Sequence, residues 1–245
     1  MTIKLYQFAI SPYCEKVRWA LDYKGLHAEI QSLLPGQHLN TVRKLTRADS
    51  SVPVLDHDGH IVQGSAQILD YLDDTFPDKP LTPTDATEKA AALAWEQRLD
   101  SEAGPAVRCY AYHHFLQRPK VMVPMLAAQT PFYNRIVLKL AFSRVDEIMR
   151  KWMKINEKTA ETSRQTMEAL LTELADVYQT RPFLVGDGFS RADLTAASLF
   201  APMFQPAQYP VPWPKPGRIP KEIQHWLAQW QPQLQTLEKV YQANR

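Results

Sequence analysis

Residues 3–14, IKLYQFAISPYC, set how the chain begins to fold. β-Branched and aromatic side chains fill residues 3–9 and stop at Ser11-Pro12, which predicts a strand followed at once by a helix. Serine is a good N-cap. Proline suits the first helical position, where its missing N–H has no helical partner to lose. Val17, Ala20 and Leu21 continue at helical spacing, and Gly25 supplies a natural residue for the stop. Working outward, residues 28–34 predict a second strand and residues 35–47 a weak helix. Residues 52–55 and 60–63 predict a strand pair turning at Asp58-Gly59. Ser65 then caps a helix with Ile68, Leu69 and Leu72 on one face, ending before Phe76-Pro77. This order implies a small mixed four-stranded sheet with helices on both faces.

Beyond it the composition changes. Residues 78–87, DKPLTPTDAT, read as a linker between a first domain (1–77) and an all-helical second one (88–245). Helical spacing predicts long helices over 88–116 and 160–179. In residues 189–194, FSRADL, Ser190 is placed as N-cap, Asp193 as its partner three residues on, and Phe189 with Leu194 as a hydrophobic staple. Residues 221–242 predict one or two closing helices, broken near Pro232. Two segments resist a tidy helical reading. Residues 119–142 are apolar but carry prolines at 119, 124 and 131, and residues 202–220 hold many of the 19 prolines. The latter also carry Phe204, Tyr209 and Trp213, so an ordered surface loop is expected.

Three short elements carry chemistry. Ser11-Pro12-Tyr13-Cys14 opens a helix, where free N–H groups and the dipole favour an anion. A thiolate beside Ser11 would accept from its hydroxyl, and both effects lower a thiol pKa; the plainer reading is that Ser11 is only an N-cap. Val52-Pro53 precedes a strand. A cis bond there would leave the Val52 main chain free to pair with an extended peptide, whereas an ordinary trans proline would not. Gly64-Ser65 opens the next helix and offers a carboxylate site, or again a simple cap. In a four-stranded mixed sheet all three converge at one edge.

Taken together, these elements resemble the cytosolic glutathione transferases. Residues 1–77 look like their thioredoxin-like domain, SPYC is similar to the glutaredoxin motif CPYC with serine in place of the first cysteine, and the linker, helical half and FSRADL segment follow the superfamily's order. The resemblance implies an α/β thioredoxin-like domain (βαβαββα) followed by an all-α domain. It implies glutathione as co-substrate, with Ser11 activating its sulfur, Val52 pairing with its cysteinyl part, Pro53 cis and Ser65 holding the γ-glutamyl carboxylate. The family often places an acid or amide just before that serine. Here Gly64 stands there, with Gln63 one step earlier. Gln37, His38 and Lys44 are candidates for the glycine end, and Asp100 or Glu102 for an acid reaching a partner subunit's γ-glutamyl amine. A homodimer is expected.

Cys14, one turn beyond Ser11, has no partner thiol in the motif, so it is either a packing residue or a monothiol exchange group. Cys109 reads as structural. The second-substrate pocket is expected in the helical half, with Tyr13, Tyr110, His114, Tyr209 and Trp213 as candidates among aromatics that otherwise serve the core. His113-His114 is not a metal site, since neighbouring helix residues diverge and no third ligand is evident, so no metal is expected. Basic residues over 143–164 form either a solvated face or a surface for anions or membranes.

Bulk properties narrow the choice. A net charge of +2 gives no argument for nucleic acid. Two cysteines are not a disulfide framework, and no signal peptide or long apolar run is visible, so a cytoplasmic protein without membrane insertion is expected. Conjugation of glutathione to a small hydrophobic electrophile is the leading expectation. A thiol oxidoreductase using Cys14 and a non-catalytic ligand carrier are the alternatives.

Overall fold

The computed structural model describes residues 2–245. Four strands, β1 (Ile3–Gln7), β2 (Glu29–Ser32), β3 (Val54–His57) and β4 (His60–Gln63), form one sheet in the order β2-β1-β3-β4. β1 runs parallel to β2 and antiparallel to β3, with Leu5 opposite both Ile30 and Leu55. Along β1, Ile3, Leu5 and Gln7 are buried while Lys4 and Tyr6 are less so, the period of two that a pleated strand imposes. Helix α1 (Pro12–Tyr23) follows β1, α2 (His38–Thr46) follows β2, and α3 (Ser65–Thr75) follows β4. α1 packs against α3.

Seven helices make the rest: α4 (Ala86–Phe115), α5 (Pro119–Leu126), α6 (Phe132–Trp152), α7 (Glu157–Thr180), α8 (Arg191–Phe204), α9 (Lys221–Gln229) and α10 (Gln231–Asn244). α8 is the hub, packed on α1, α4 and α10. Nearly all its side chains are buried, the polar Arg191, Asp193, Thr195 and Ser198 included. The capping box at its start is present. The Asp193 carboxylate accepts from the Ser190 N–H (3.0 Å), the Ser190 hydroxyl (3.0 Å), the Leu184 N–H (2.7 Å) and the Tyr178 hydroxyl (2.9 Å). Phe189 lies against Trp19 and Tyr23 of α1.

Some expectations need correction. Residues 119–142 are mostly helical, α5 and the start of α6 joined by a short turn over 127–131. Pro119 occupies the first turn of α5 and Pro131 the N-cap of α6, where a missing N–H costs nothing, so only Pro124 lies inside a helix. α4 begins before residue 88, because the Asp85 carboxylate caps it by accepting from the N–H groups of Thr87 and Glu88. The cap of α3 is Gly64, with φ 98°, and Ser65 is the first helical residue, making no side-chain cap bond. The proline-rich stretch 202–220 is a loop only after Phe204, since Pro202 to Phe204 close α8. The Tyr209 hydroxyl donates to the Ile10 carbonyl (3.0 Å) and Trp213 Nε1 to the Pro206 carbonyl (3.1 Å).

The sheet and the bundle are locked by charge as well as packing. Lys16 of α1 contacts Glu96 (2.6 Å) and Asp100 (2.8 Å) of α4. Glu96 also holds Arg191 of α8 (2.6 Å), which reaches Asp70 of α3 (2.5 Å). Beside this chain Trp19 is buried, stacked on Phe189 and donating from Nε1 to the Asn244 carbonyl (2.7 Å).

Candidate functional site

A cleft of about 490 Å³ lies where the N-terminus of α1 faces α4 and the end of α6. The sheet side contributes Ser11, Tyr13, His38 and Val52, and the helical side Arg108, Tyr112, Met149 and Trp152. Its wall is largely apolar, with a few polar groups, as small-molecule clefts are.

Ser11 is the N-cap of α1 and its Oγ accepts from the Cys14 N–H at 3.4 Å. That long bond uses an oxygen lone pair and not the hydroxyl proton. The capping reading and the ligand-facing reading are therefore compatible. The Val52–Pro53 peptide is cis. Among the described residues no main-chain hydrogen bond is made by the N–H or C=O of Val52, whereas Pro53 accepts from the Gly64 N–H (3.0 Å).

Tyr13 donates its hydroxyl to the Asp100 carbonyl at 2.6 Å. Burial first, then the Asp100 charge, pushes its phenol up to about 12, with Arg108 opposing, so it stays protonated. Its ring lies against Gly104, where any Cβ would strike the ring and hydroxyl. His38 lines the cleft edge-on to Phe8, its Nδ1 accepting from the Gly36 N–H (3.1 Å). Burial holds its pKa below the usual value, with Arg43 adding to the effect and the Leu34 backbone opposing, so the ring is neutral near pH 7. Cys14 is fully buried, and burial pushes its thiol up against the pull of Arg18 and of its hydrogen bonds.

Other candidates from the sequence stand elsewhere. Gln37 and Lys44 are exposed and outside the cleft wall. Gln63 spends its amide on the carbonyls of Asp49 and Ser51 and on their side chains, and so ties down the loop before Val52. Ser65 is buried at the start of α3. Asp100 is held by Lys16 of its own chain, and exposed Glu102 pairs with Arg98 at 3.5 Å. Of the five aromatic candidates only Tyr13 lines the cleft. Tyr110 and His114 pack together, with Tyr110 against Trp226 of α9 on another side of α4. Tyr209 is buried under the Arg18 guanidinium, 5.2 Å from its ring centroid. Trp213 lines neighbouring cavities. Helix phase is the reason: Tyr110 and Tyr112 lie 200° apart, so only one of them can face the cleft.

Arg108 and Met149 of α6 were missed. Arg108 and Tyr112 sit one turn apart on α4, a spacing visible in the sequence once that face is known to look at Ser11. Met149 lies in residues 143–164, which read as a basic helical face, so its apolar side gave no separate signal. No cluster of His, Cys, Asp or Glu suited to a metal occurs among the described residues.

Two family models match in order: the glutathione S-transferase N-terminal domain over residues 5–80 and the C-terminal domain over residues 121–227. The chain therefore belongs to the glutathione transferase superfamily, with its thioredoxin-type sheet domain followed by a helical domain. Among curated relatives, a probable glutathione S-transferase of Nicotiana tabacum is 31% identical over 108 residues, 44% of this chain and 48% of that protein. Glutathione S-transferase U2 of Arabidopsis thaliana is 33% identical over 105 residues, 42% of this chain and 46% of that protein. The chain thus spans about half the length of the curated relatives it matches. Among solved structures, the β-etherase LigF from Sphingobium superposes with a TM-score of 0.65 at 21% identity, covering 99% of this chain and all of that one. A glutathione S-transferase of Methylobacterium radiotolerans, in complex with glutathione sulfonate, gives 0.63 at 22%, covering 98% and 90%. At these identities the likeness shows the fold.

Proposed function

We propose that the protein conjugates glutathione to a small apolar electrophile, and that Ser11 holds the attacking sulfur as a thiolate. The observation that carries this reading is the Ser11 hydroxyl. It sits at the N-terminus of α1 in the cleft wall, and its cap bond takes a lone pair and not its proton. The helix dipole adds to the same effect, and Arg108 supplies a cation in the same wall. In the reaction the thiolate attacks an electrophilic carbon, a C–S bond forms, and the displaced group leaves with its electron pair. No general base is needed, because the thiol has already lost its proton to solvent; Ser11 only donates. Val52 would pair its free main-chain groups with the cysteinyl part of glutathione, beside cis Pro53. Gly64 and Ser65 would meet the γ-glutamyl carboxylate at the start of α3, and His38 would offer a neutral N–H donor toward the glycine end. The apolar wall of Tyr112, Met149 and Trp152 would seat the electrophile.

Burial of Cys14 weighs against thiol exchange, since a protonated thiol with no exposed surface neither attacks nor is reached. Calorimetry with glutathione, together with the pH profile of aryl-halide conjugation, tests the reading. A hydrogen bond to a charged acceptor contributes about 1.5–3 kcal/mol, so Ser11→Ala should move the activity limb up by roughly one to two pH units. Ser11→Thr should retain most of the effect. An unchanged profile in Ser11→Ala would remove Ser11 from the mechanism, and no heat at millimolar glutathione would leave ligand carriage as the function.

A further inference from the structure

The chain enters Ser11 through a tight turn, Phe8 to Ser11, whose carbonyls are taken one by one. The Phe8 carbonyl accepts from the Ser11 N–H (3.0 Å), which closes the turn. The Ala9 carbonyl accepts from Nη2 of Arg18 on α1 (3.2 Å). The Ile10 carbonyl accepts from the hydroxyl of Tyr209 (3.0 Å), 199 positions further along the chain. The Ile10 carbonyl and the Ser11 N–H belong to one planar peptide unit. Both ends of that plane are therefore held, one by the turn and the other by Tyr209. Its tilt sets the direction in which the Ser11 side chain leaves the main chain.

Tyr209 is itself held in place. It is 3% exposed. The Arg18 guanidinium lies over its ring, and the Trp213 ring packs on it at 5.0 Å. Trp213 Nε1 (3.1 Å) and the Tyr209 N–H (3.2 Å) both donate to the Pro206 carbonyl, so the loop after α8 closes on itself. Arg18 in turn is fixed by buried Glu15 (2.6 Å). The ionisable groups facing the phenol are Arg18, Glu15, Cys14 and Tyr112. Burial pushes it well above its usual value against the pull of Arg18, so Tyr209 stays protonated through the neutral range. Burial likewise keeps Cys14 and Tyr112 protonated there.

We propose that Tyr209 is a positioning residue for Ser11: its hydroxyl, acting through the Ile10 carbonyl, aims the Ser11 side chain at the sulfur bound in the cleft. This rests on the reading that Ser11 holds the glutathione thiolate. A hydrogen bond to a charged acceptor depends steeply on distance and angle, so a peptide plane free to tilt weakens the donor without emptying the site. Arg18 grips the neighbouring carbonyl from the sheet domain's own first helix, whereas Tyr209 reaches it from the helical domain. The loop after α8 thereby takes part in activating a thiol that it does not touch.

The test is the pH profile of kcat/KM for an aryl halide at saturating glutathione, measured on the full chain, whose limb reports the bound thiol. Tyr209→Phe keeps the ring and removes the hydroxyl. It should move the limb up by about half to one pH unit, less than Ser11→Ala does, and change the KM for glutathione less than about twofold. In a Ser11→Ala background the same change should add nothing, because the two act as one unit. Tyr178→Phe is the stability control: it takes a hydroxyl from Asp193 (2.9 Å) away from the cleft and should leave the limb in place. Circular dichroism checks each fold. Should Tyr209→Phe unfold, Trp213→Phe carries the test, since it frees the loop from the Pro206 carbonyl and should move the limb the same way. The proposal is overturned if Tyr209→Phe, or Trp213→Phe in its place, keeps the parent's limb while Ser11→Ala moves it. It is equally overturned if the shift adds in full to that of Ser11→Ala, or if Tyr178→Phe moves the limb as far. A limb that Ser11→Ala itself leaves unmoved would sink the thiolate reading, and this role of Tyr209 with it.

Discussion

Replacing Glu96 by Gln keeps the shape of the side chain and removes its charge from the centre of the domain junction. Its carboxylate is 3% exposed and lies 2.6 Å from both Lys16 Nζ and Arg191 Nη2, which are themselves 0% and 2% exposed. Neither cation can turn to water when the charge is lost. Removing one partner of a buried pair costs about 3–5 kcal/mol. Here each cation keeps a second acid, Asp100 at 2.8 Å from Lys16 and Asp70 at 2.5 Å from Arg191, so the low end applies, about 3 kcal/mol. Against a total stability of about 5–15 kcal/mol that is a large fraction. Urea unfolding followed by tryptophan fluorescence is a suitable assay, because Trp19 is buried and its ring stacks on Phe189 at 5.4 Å across the junction. The midpoint should fall with little change in slope. A loss smaller than about 1 kcal/mol would refute the reasoning, since it would mean the pair was never desolvated enough to matter.

Three further outcomes are expected. Gly104→Ala puts a Cβ into the ring and hydroxyl of Tyr13, so it should cost about 1–3 kcal/mol and raise the KM for glutathione by moving the start of α1; a variant as stable as the parent would show that Tyr13 is free to swing away. Burial raises the phenols of Tyr13, Tyr110 and Tyr112 from 10.0 to about 12. The folded state therefore keeps protons that the unfolded chain releases, so the contribution of these phenols to stability should be constant below pH 10 and fall progressively above it; thermal melts above pH 10 check the sign, and a stability that rises there would contradict it. Cys14 should resist a disulfide reagent in the native protein at neutral pH and react on addition of urea, since its thiol is buried and held protonated. Fast native labelling of Cys14, located by peptide mapping, would reopen thiol exchange.

Much of the sheet domain was legible from local pattern. The Ser11-Pro12 start, the Asp58-Gly59 turn and the Ser190–Asp193 box each act within a few residues, and hydrophobic spacing placed α1, α3 and α7. α5 and the first half of α6 were hidden because prolines look alike whether they break a helix or open one. Only the fold shows that Pro119 and Pro131 do the latter.

The sequence by itself determined the order of elements in the sheet domain and the helix start at Ser11, because capping and periodicity are near-neighbour effects. Tertiary structure decided which side of α4 faces that serine. It brought Tyr13, Arg108 and Tyr112 to the cleft and left Tyr110 and His114 outside. It also tied Asp100 to Lys16, 84 positions away in the chain. Contacts of that range depend on how helices rotate as they pack, and no local pattern encodes that rotation.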